Sequence, residues 1–158
     1  MQNKFMSEEQ YLFEIELPIW QDPQGDLILE KSREYCYVYF GCWDKKSPPN
    51  YAEYIGRIEF INAWSVRSLD VEFYDIHPRG EYLYPSSIYI IKNSEWFKDV
   101  FNIRNEYYSD SWTKWKDKNY KHYLVKGHDN YFEIIAEDFE VKKIDKAQAG
   151  KYAVLIEE

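Results

Sequence analysis

The sequence predicts an α+β fold, with a mainly antiparallel, curved or partly closed β-sheet of about seven or eight strands and one main helix, at about residues 95–108, packed on it. Aromatic residues make up 20% of the 158 residues, and together with β-branched residues they dominate the apolar segments, as is typical of strands. Those segments are short and separated by Gly, Pro, Asn and Asp. One run alone has apolar residues at helical spacing, which predicts the helix.

The length of the chain favours one folding unit. A chain of 158 residues can bury a substantial core without disulfides or metals, and no linker or repeat divides it. We therefore expect a single globular domain over residues 1–158. The run at 34–43 is nearly unbroken in apolar residues, as in a strand covered on both faces. The expected strands are 11–17, 27–29, 34–43, 54–61, 64–74, 87–91 and 152–156, with two more in the segment 120–141.

The strand at 64–74 contains a change of parity. Its apolar residues occupy even positions at the start and odd positions towards the end, and a regular strand cannot place both sets on one face. This predicts a β-bulge near Arg67–Ser68. Bulges are common beside functional sites, which draws attention to Arg67, but an ion pair of Arg67 with Asp70 or Glu72 is the favoured explanation.

The helix has a recognisable beginning and an apolar stripe. Ser94, or Asn93 before it, is expected to cap the helix, with Glu95 favourable in the first turn. The stripe is wide enough to pack on a sheet, and we interpret it as core rather than as a ligand site. It consists of Trp96, Phe97, Val100, Phe101 and Tyr108.

The segment 120–141 is predicted to form a β-hairpin. Its turn is expected at Asp129–Asn130, because these residue types adopt positive φ at low cost. Pairing the arms about that turn places Lys126 opposite Glu133 and His122 opposite Glu137. In this register apolar residues face apolar residues and cation-forming residues face carboxylates, the kind of matching that holds a register.

The acidic balance of the chain restricts its partners. Its net charge is −8, from 20 Lys and Arg against 28 Asp and Glu. Nucleic acid and anionic membranes would repel such a chain unless its basic residues were gathered on one face, so neither is an expected partner. A basic protein is better matched, although moderate acidity also serves solubility alone.

The sequence gives no sign of a targeting segment, a metal site or a cofactor. No apolar leader or membrane-spanning run is visible, so we expect a cytoplasmic protein. Cys36 and Cys42 would lie about 20 Å apart on one extended strand, too far for a disulfide, and are expected to be buried free thiols. The histidines and cysteines show no metal-ligand spacing, and no glycine-rich phosphate loop is present, so we expect neither metal nor cofactor.

The candidate for catalysis is the hairpin. His122 opposite Glu137 would form an imidazole–carboxylate pair, which orients the ring and raises its pKa for general acid–base work. His128 at the turn could add a second pair or a metal ligand. These three residues would be the centre of a hydrolase-like enzyme. Familiar catalytic motifs are missing, however, and cross-strand charge pairs ordinarily stabilise sheets by a few tenths to about 1 kcal/mol, so a structural role is favoured.

A second candidate site is the aromatic and locally basic stretch after the helix. The stretch 107–126 contains the aromatic residues Tyr107, Tyr108, Trp112 and Trp115 together with Lys114, Lys116, Lys118, Lys121 and Lys126. Such a surface can stack on carbohydrate or another small ligand, and it can equally contact a protein. The alternative is that Trp112 and Trp115 fold back as a lid on the core.

The third candidate is an acidic surface. Its members are Glu133, Glu137, Asp138 and Glu140, joined by Glu8, Glu9, Glu14 and Glu16 if the first strand neighbours the hairpin. One merged negative surface would suit a basic partner. The leading hypothesis is therefore a non-enzymatic protein-binding module, an acidic inhibitor or immunity-type protein that neutralises a basic partner. The alternatives are the ligand-binding domain and the hydrolase-like enzyme, and a homodimer would cover long edge strands.

Overall fold

A computed structural model describes residues 9–76, 84, 88–108 and 119–157 of the chain. Within these ranges the expected α+β fold is confirmed, with ten strands rather than seven or eight and one α-helix. The strands are β1 (Tyr11–Glu14), β2 (Trp20–Gln21), β3 (Ile28–Lys31), β4 (Cys36–Trp43), β5 (Tyr51–Ile61), β6 (Ser65–Asp70), β7 (Ile88–Lys92), β8 (Lys121–Lys126), β9 (Asn130–Ala136) and β10 (Asp138–Asp145). The helix α1 spans Glu95–Tyr108, and short 3₁₀ segments span Val71–Phe73, Lys146–Gln148 and Gly150–Ile156.

The strands form two antiparallel sheets. Sheet 1 has the order β1-β7-β8-β9-β6, and sheet 2 has the order β10-β5-β4-β2, with β3 also paired to β4. The pairs β5–β10 and β6–β9 form one long ladder that bends from sheet 2 into sheet 1. At the bend the three residues 62–64 lie opposite the two residues 136–137, which makes a β-bulge. Asn62 in this bulge has φ +52°. Asn tolerates this left-handed conformation, so the bulge gives the sheet its curvature.

The main core lies between the two sheets. Alternate residues of each strand point into it, which is the period-two pattern expected of packed sheets. Its fully buried members include Val38 and Ile58 from sheet 2, and Val125 and Ile134 from sheet 1. Burial of one such side chain contributes about 1.5–3 kcal/mol, so this layer supplies most of the drive for folding.

The outer face of sheet 2 is covered by the 3₁₀ segment Gly150–Ile156. Tyr152 stacks on Tyr39 with ring centroids 3.8 Å apart, and Ile156 is buried. The backbone passes so close that a Cβ on Gly41 would overlap the carbonyl oxygen of Leu155. The predicted last strand at 152–156 is therefore wrong, because this segment packs its side chains on a sheet face instead of pairing with a strand edge.

The predicted bulge at Arg67–Ser68 is also wrong. β6 pairs with β9 without interruption from Ser65 to Asp70. The strand ends there, and the 3₁₀ turn Val71–Phe73 leaves its apolar side chains exposed. The change of parity therefore marks the end of a strand, and the bulge lies earlier, at 62–64.

The hairpin of β8 and β9 exists, but its register differs by two residues from the predicted one. Gly127 N donates to Asn130 O at 2.8 Å, so the turn is at 128–129, and Lys126 lies opposite Tyr131. The Asn130 side chain accepts from Leu27 N at 3.1 Å and donates to Leu27 O at 3.0 Å. These bonds to a distant segment hold Asn130 as a strand residue, which overrides its preference for a turn.

Candidate functional site

Four side chains form a continuous polar relay on the outer face of sheet 1. Ser94 Oγ lies 2.6 Å from His122 Nδ1, and His122 Nε2 lies 2.7 Å from Glu133 Oε1. Arg67 clamps the same carboxylate with two hydrogen bonds, from Nε at 2.7 Å and from Nη2 at 3.1 Å. The His122 ring N–H is not aimed straight at the carboxylate, so that contact is a close electrostatic pair rather than a linear hydrogen bond.

The order of strands in sheet 1 brings these residues together. Arg67 on β6 lies directly opposite Glu133 on β9. His122 on β8 lies opposite Ile135, which makes it a diagonal neighbour of Glu133 on the same face. Ser94 comes from the connection between β7 and α1, where Asn93 has φ +58° and turns the chain sharply into the helix.

Ser94 also begins the helix, as predicted. Its Oγ accepts a hydrogen bond from Phe97 N at 2.9 Å, the usual bond of an N-cap. An oxygen that accepts from the backbone can still donate its own hydrogen, and His122 Nδ1 is the neighbouring acceptor. The relay therefore connects the start of α1 to the centre of sheet 1.

Burial determines the charge state of the relay. Ser94, His122 and Glu133 are 6%, 2% and 0% exposed. Burial lowers the pKa of His122 and Arg67 lowers it further, while the contact with Glu133 acts in the opposite direction. Burial alone would raise the pKa of Glu133, but the close contact with His122 and the hydrogen bonds from Arg67 outweigh it and lower that pKa. At neutral pH the site thus holds a neutral imidazole beside an ionised carboxylate.

Trp96 covers the relay from the helix side. Its ring meets the His122 ring edge-on, with centroids 5.0 Å apart, and the Arg67 guanidinium lies 4.3 Å from its centroid. An aromatic ring in this position excludes water from one side and stabilises the cation on its face.

A cleft opens on the other side of Ser94 and His122. It has a volume of about 330 Å³ and lies between the first turn of α1 and the strands β7 and β8. Lys92, Lys98 and Lys121 line it, which makes it a basic feature of an acidic chain. Tyr120 completes its wall.

An exposed patch, which we name the aromatic surface, lies at the C-terminal end of α1. It consists of Trp64, Val100, Ile103, Arg104, Tyr107 and Tyr108, which with Ser65 line a cleft of about 250 Å³. Tyr120 stacks on one side of Trp64 at 3.6 Å, and the Arg104 guanidinium lies 4.8 Å from the Trp64 ring centroid. Arg104 also lies 4.9 Å from the Tyr108 ring centroid, so the rings and the guanidinium form one ladder.

The structure separates the predicted catalytic residues. His122 does pair with a carboxylate, but with Glu133 rather than Glu137, because the register is shifted by two. Glu137 accepts instead from Asn62 Nδ2 at 2.7 Å. His128 lies in the β8–β9 turn, 3.1 Å from Asp129, at the opposite end of β8 from His122. The predicted trio therefore does not form one site.

The predicted binding residues are distributed over several surfaces. Glu133 is buried and neutralised by Arg67, so it cannot belong to an exposed acidic surface. Asp138 and Glu140 are on β10 in sheet 2, and β7 and β8 separate β1 from β9, so the merged negative surface does not form as predicted. Tyr107 and Tyr108 belong to the aromatic surface. Trp112, Trp115 and Glu8 lie outside the described residues.

Two members of the relay were not predicted as site residues. Ser94 was interpreted only as a helix cap, and Arg67 was associated with a bulge and with other partners. Pairs in the relay are 66 and 28 residues apart in the chain, so no local motif could connect them. The unusual Asn-Ser step between a strand and a helix is the signal that could have drawn attention to Ser94.

No family model matches the chain, and the searches of curated proteins and of solved structures gave no match either. Within 9–76, 84, 88–108 and 119–157, no three His, Cys, Asp or Glu side chains are grouped so as to hold a metal ion. In the same ranges no helix is both long and apolar enough to cross a membrane. Cys36 and Cys42 are buried and unbridged, as expected, and burial raises the pKa of Cys36 to about 11 and that of Cys42 to about 12.

Proposed function

We propose that the chain is a protein-binding module that contacts a basic partner protein through the aromatic surface. The observation that carries the proposal is the exposure of large apolar side chains in one place. Ile103, Tyr107 and Tyr108 are 66%, 80% and 50% exposed, and they border a cleft between α1 and Trp64. Soluble proteins seldom leave such a contiguous patch uncovered without an interaction to serve.

The composition of this surface favours a protein over a small ligand. Trp, Tyr and Arg are the residue types that contribute most of the binding energy at protein interfaces. Here Trp64, Arg104 and Tyr108 already hold one another by stacking, so little side-chain entropy remains to be lost on binding. The cleft of about 250 Å³ is large enough for one inserted side chain of the partner, but small for a drug-sized ligand.

The charge around the aromatic surface supports a basic partner. Glu106 is exposed on α1 beside Tyr107. Glu137 acts to raise the pKa of Tyr120, which stacks on Trp64, whereas Arg104 of the aromatic surface acts to lower it. The whole chain carries a net charge of −8. Carboxylates at the rim of an apolar contact steer a basic partner and raise its association rate more than they raise its affinity.

The experiment compares three forms of the full-length, tagged chain as baits in lysate of the native cell at moderate salt, with capture read by mass spectrometry. One form is wild type, one is the double variant Ile103→Ser/Tyr107→Ser, and one is the control Val154→Ser. Val154 is 58% exposed on the 3₁₀ segment that covers sheet 2, so it is an exposed apolar residue far from the aromatic surface.

The expected result is one basic protein captured by wild type and by Val154→Ser in equal amount, with at least a tenfold loss in the double variant. Binding of the purified partner should weaken as salt rises, because rim charges are screened. Capture that is unchanged in the double variant would place the contact elsewhere. A neutral or acidic partner would contradict the charge argument.

No observation on the described residues favours the carbohydrate-binding alternative, because Trp112 and Trp115, on which it was based, lie outside them. Titration of wild type and of Ile103→Ser/Tyr107→Ser with soluble oligosaccharides, followed by tryptophan fluorescence, tests the aromatic surface for this use as well. Trp64 would report a stacked sugar directly.

A further inference from the structure

We infer that Ser94 is a reactive nucleophile, activated by His122, and that the basic cleft beside it accepts small carboxylic esters that carry a negative charge. This activity would be separate from partner binding at the aromatic surface. A hydroxyl, an imidazole and a buried carboxylate are in contact in that order, at 2.6 Å and 2.7 Å. This is the arrangement that converts serine into a nucleophile on unrelated folds.

The protonation states in the relay suit this role. Nε2 of His122 lies on the side of Glu133 and Nδ1 on the side of Ser94. Activation of Ser94 requires the neutral tautomer with its hydrogen on Nε2, in which the Nδ1 lone pair faces the Ser94 hydroxyl. A base must be unprotonated before reaction, and the pKa of His122, lowered by burial, keeps it so at neutral pH. Glu133 is a positioning residue, because it contacts His122 and not the hydroxyl.

The position of Ser94 at the start of α1 adds a second contribution. Negative charge on Ser94 Oγ would be stabilised by the hydrogen bond from Phe97 N, at 2.9 Å, and by the positive end of the helix dipole. The oxygen retains a second lone pair for attack, since only one accepts this bond. Strand, sharp turn and helix also present the serine at the floor of a cleft rather than within the core.

The lining of the cleft indicates the substrate class. The cleft that contains Ser94 and His122 is also lined by Lys92, Lys98 and Lys121, and no Asp or Glu among the described residues lines it. Two of the ammonium groups make contacts of their own: Lys92 Nζ lies 5.2 Å from the Phe13 ring centroid, and Lys121 Nζ donates to Asn119 O at 3.2 Å. The exposed Lys98, in the first turn of α1, is therefore the first lysine to test. A carboxylate or phosphate on the substrate would be held by these lysines, whereas a neutral ester would lack that attraction. The volume of about 330 Å³ is at the lower end for ligand sites, which limits the substrate to a small molecule.

The reaction balances without any group beyond the ester and water. The Ser94 hydroxyl proton moves to His122 Nδ1 as Oγ bonds to the ester carbonyl carbon, and the carbon–alkoxide bond then breaks as the leaving alcohol takes the proton from Nδ1. A water molecule next gives a proton to Nδ1 while its oxygen bonds to the acyl carbon. The acyl–Oγ bond breaks, the acid is released, and Ser94 regains its proton from His122.

The first test uses a fluorophosphonate probe on the folded full-length protein, with the adduct located by mass spectrometry. Serine oxygen displaces fluoride from phosphorus and loses its proton to the neighbouring base, so the probe reports nucleophilicity without any knowledge of the substrate. The variants are Ser94→Asn, which can still cap the helix and donate to His122, and His122→Gln. The control is Ser68→Ala, a serine exposed on β6.

We expect an adduct on Ser94 in wild type and in Ser68→Ala, none in Ser94→Asn, and labelling slowed about a hundredfold or more in His122→Gln. The labelling rate of wild type should rise with pH through the lowered pKa of His122 and stay level above neutrality, a profile that a purely structural relay would not produce. No adduct on Ser94 would overturn the inference. Equal labelling in His122→Gln would overturn it too, since the serine would then react without its base.

The second test addresses the charge of the substrate. Hydrolysis of p-nitrophenyl hemisuccinate, which carries a carboxylate, is compared with hydrolysis of the neutral p-nitrophenyl acetate. The anionic ester should have the higher kcat/KM, and Lys98→Gln should remove part of that preference by raising KM for the anionic ester. Equal rates for the two esters, with no effect of Lys98→Gln, would reject the anionic substrate class.

Discussion

The outer face of sheet 2 and the outer face of sheet 1 are covered in different ways. The segment Gly150–Ile156 covers sheet 2 through apolar contacts, with Ile156 buried and Tyr152 stacked on Tyr39. The helix α1 covers part of sheet 1 without burying any of its own residues, so the interpretation of its apolar stripe as core is wrong. Tyr108 of that stripe is 50% exposed. The helix is held by the hydrogen bond between Ser94 and His122 and by contacts of its aromatic and arginine side chains.

The attachment of α1 to sheet 1 through polar and charged side chains therefore departs from the apolar packing that covers sheet 2. Apolar contacts stabilise the fold and tolerate substitution by other apolar residues of similar volume, which suits a segment that only has to shield a sheet. A buried charged network contributes little net stability, because desolvation offsets the attraction between its charges. Departures of this kind concentrate at functional sites, which is why the relay and the aromatic surface, both on the α1 side, are the candidates for function.

The largest expected effect comes from breaking the clamp on Glu133. Arg67→Met leaves a fully buried carboxylate without a cation and should lower the free energy of unfolding by about 3–5 kcal/mol, measured by urea denaturation. Adding Glu133→Gln should recover at least half of the loss, since the unpaired charge is then gone. The control is Lys142→Met in the exposed pair with Glu140, expected within about 0.5 kcal/mol of wild type. A cost for Arg67→Met no larger than that of the control would mean that the clamp does not sustain the relay.

The apolar cover should be the next most sensitive region. Ile156→Ala creates a cavity under the segment that shields sheet 2 and should cost about 2–4 kcal/mol of unfolding free energy. Val154→Ala, on the same segment but exposed, should cost less than about 0.5 kcal/mol. Similar small losses for both variants would show that this segment contributes little to the stability of the sheet.

A smaller loss of unfolding free energy, which arises at the relay on sheet 1, is expected when the pH is lowered. The pKa of His122 is lowered in the folded protein from an ordinary 6.5, so the unfolded chain binds the proton more readily. Stability should therefore be complete above about pH 6.5 and fall as the pH decreases below it. Unfolding measured from pH 7.5 to 5 should show this slope in wild type and in His128→Gln. In His122→Gln the slope should be reduced, and an equal slope in that variant would assign the titration to other groups.

The smallest expected effect on stability lies at the aromatic surface. Tyr107→Ser removes a side chain that is 80% exposed and should change the free energy of unfolding by no more than about 0.5 kcal/mol. The same substitution, combined with Ile103→Ser, is expected to abolish partner capture. A loss of stability above about 1.5 kcal/mol would mean that Tyr107 packs on the fold, and the surface would then not be free for a partner.

Local patterns in the sequence determined several features correctly. The span of α1 and its cap at Ser94 follow from periodicity and from the chemistry of one residue, both of which operate within a few positions of the chain. The α+β class follows from strand-forming composition and turn residues. The two buried thiols follow from their place in an apolar run.

The tertiary structure alone decided the register of the hairpin and hence the partner of His122. Two hydrogen bonds between Asn130 and Leu27, 103 residues apart, hold Asn130 in β9, so the turn lies one position earlier than predicted and His122 pairs with Glu133 instead of Glu137. The order of strands then placed Arg67 beside that carboxylate and the start of α1 above it. Such contacts join residues far apart in the chain, and neither periodicity nor spacing records which distant segments will meet, so the relay emerges only when the sheets are assembled.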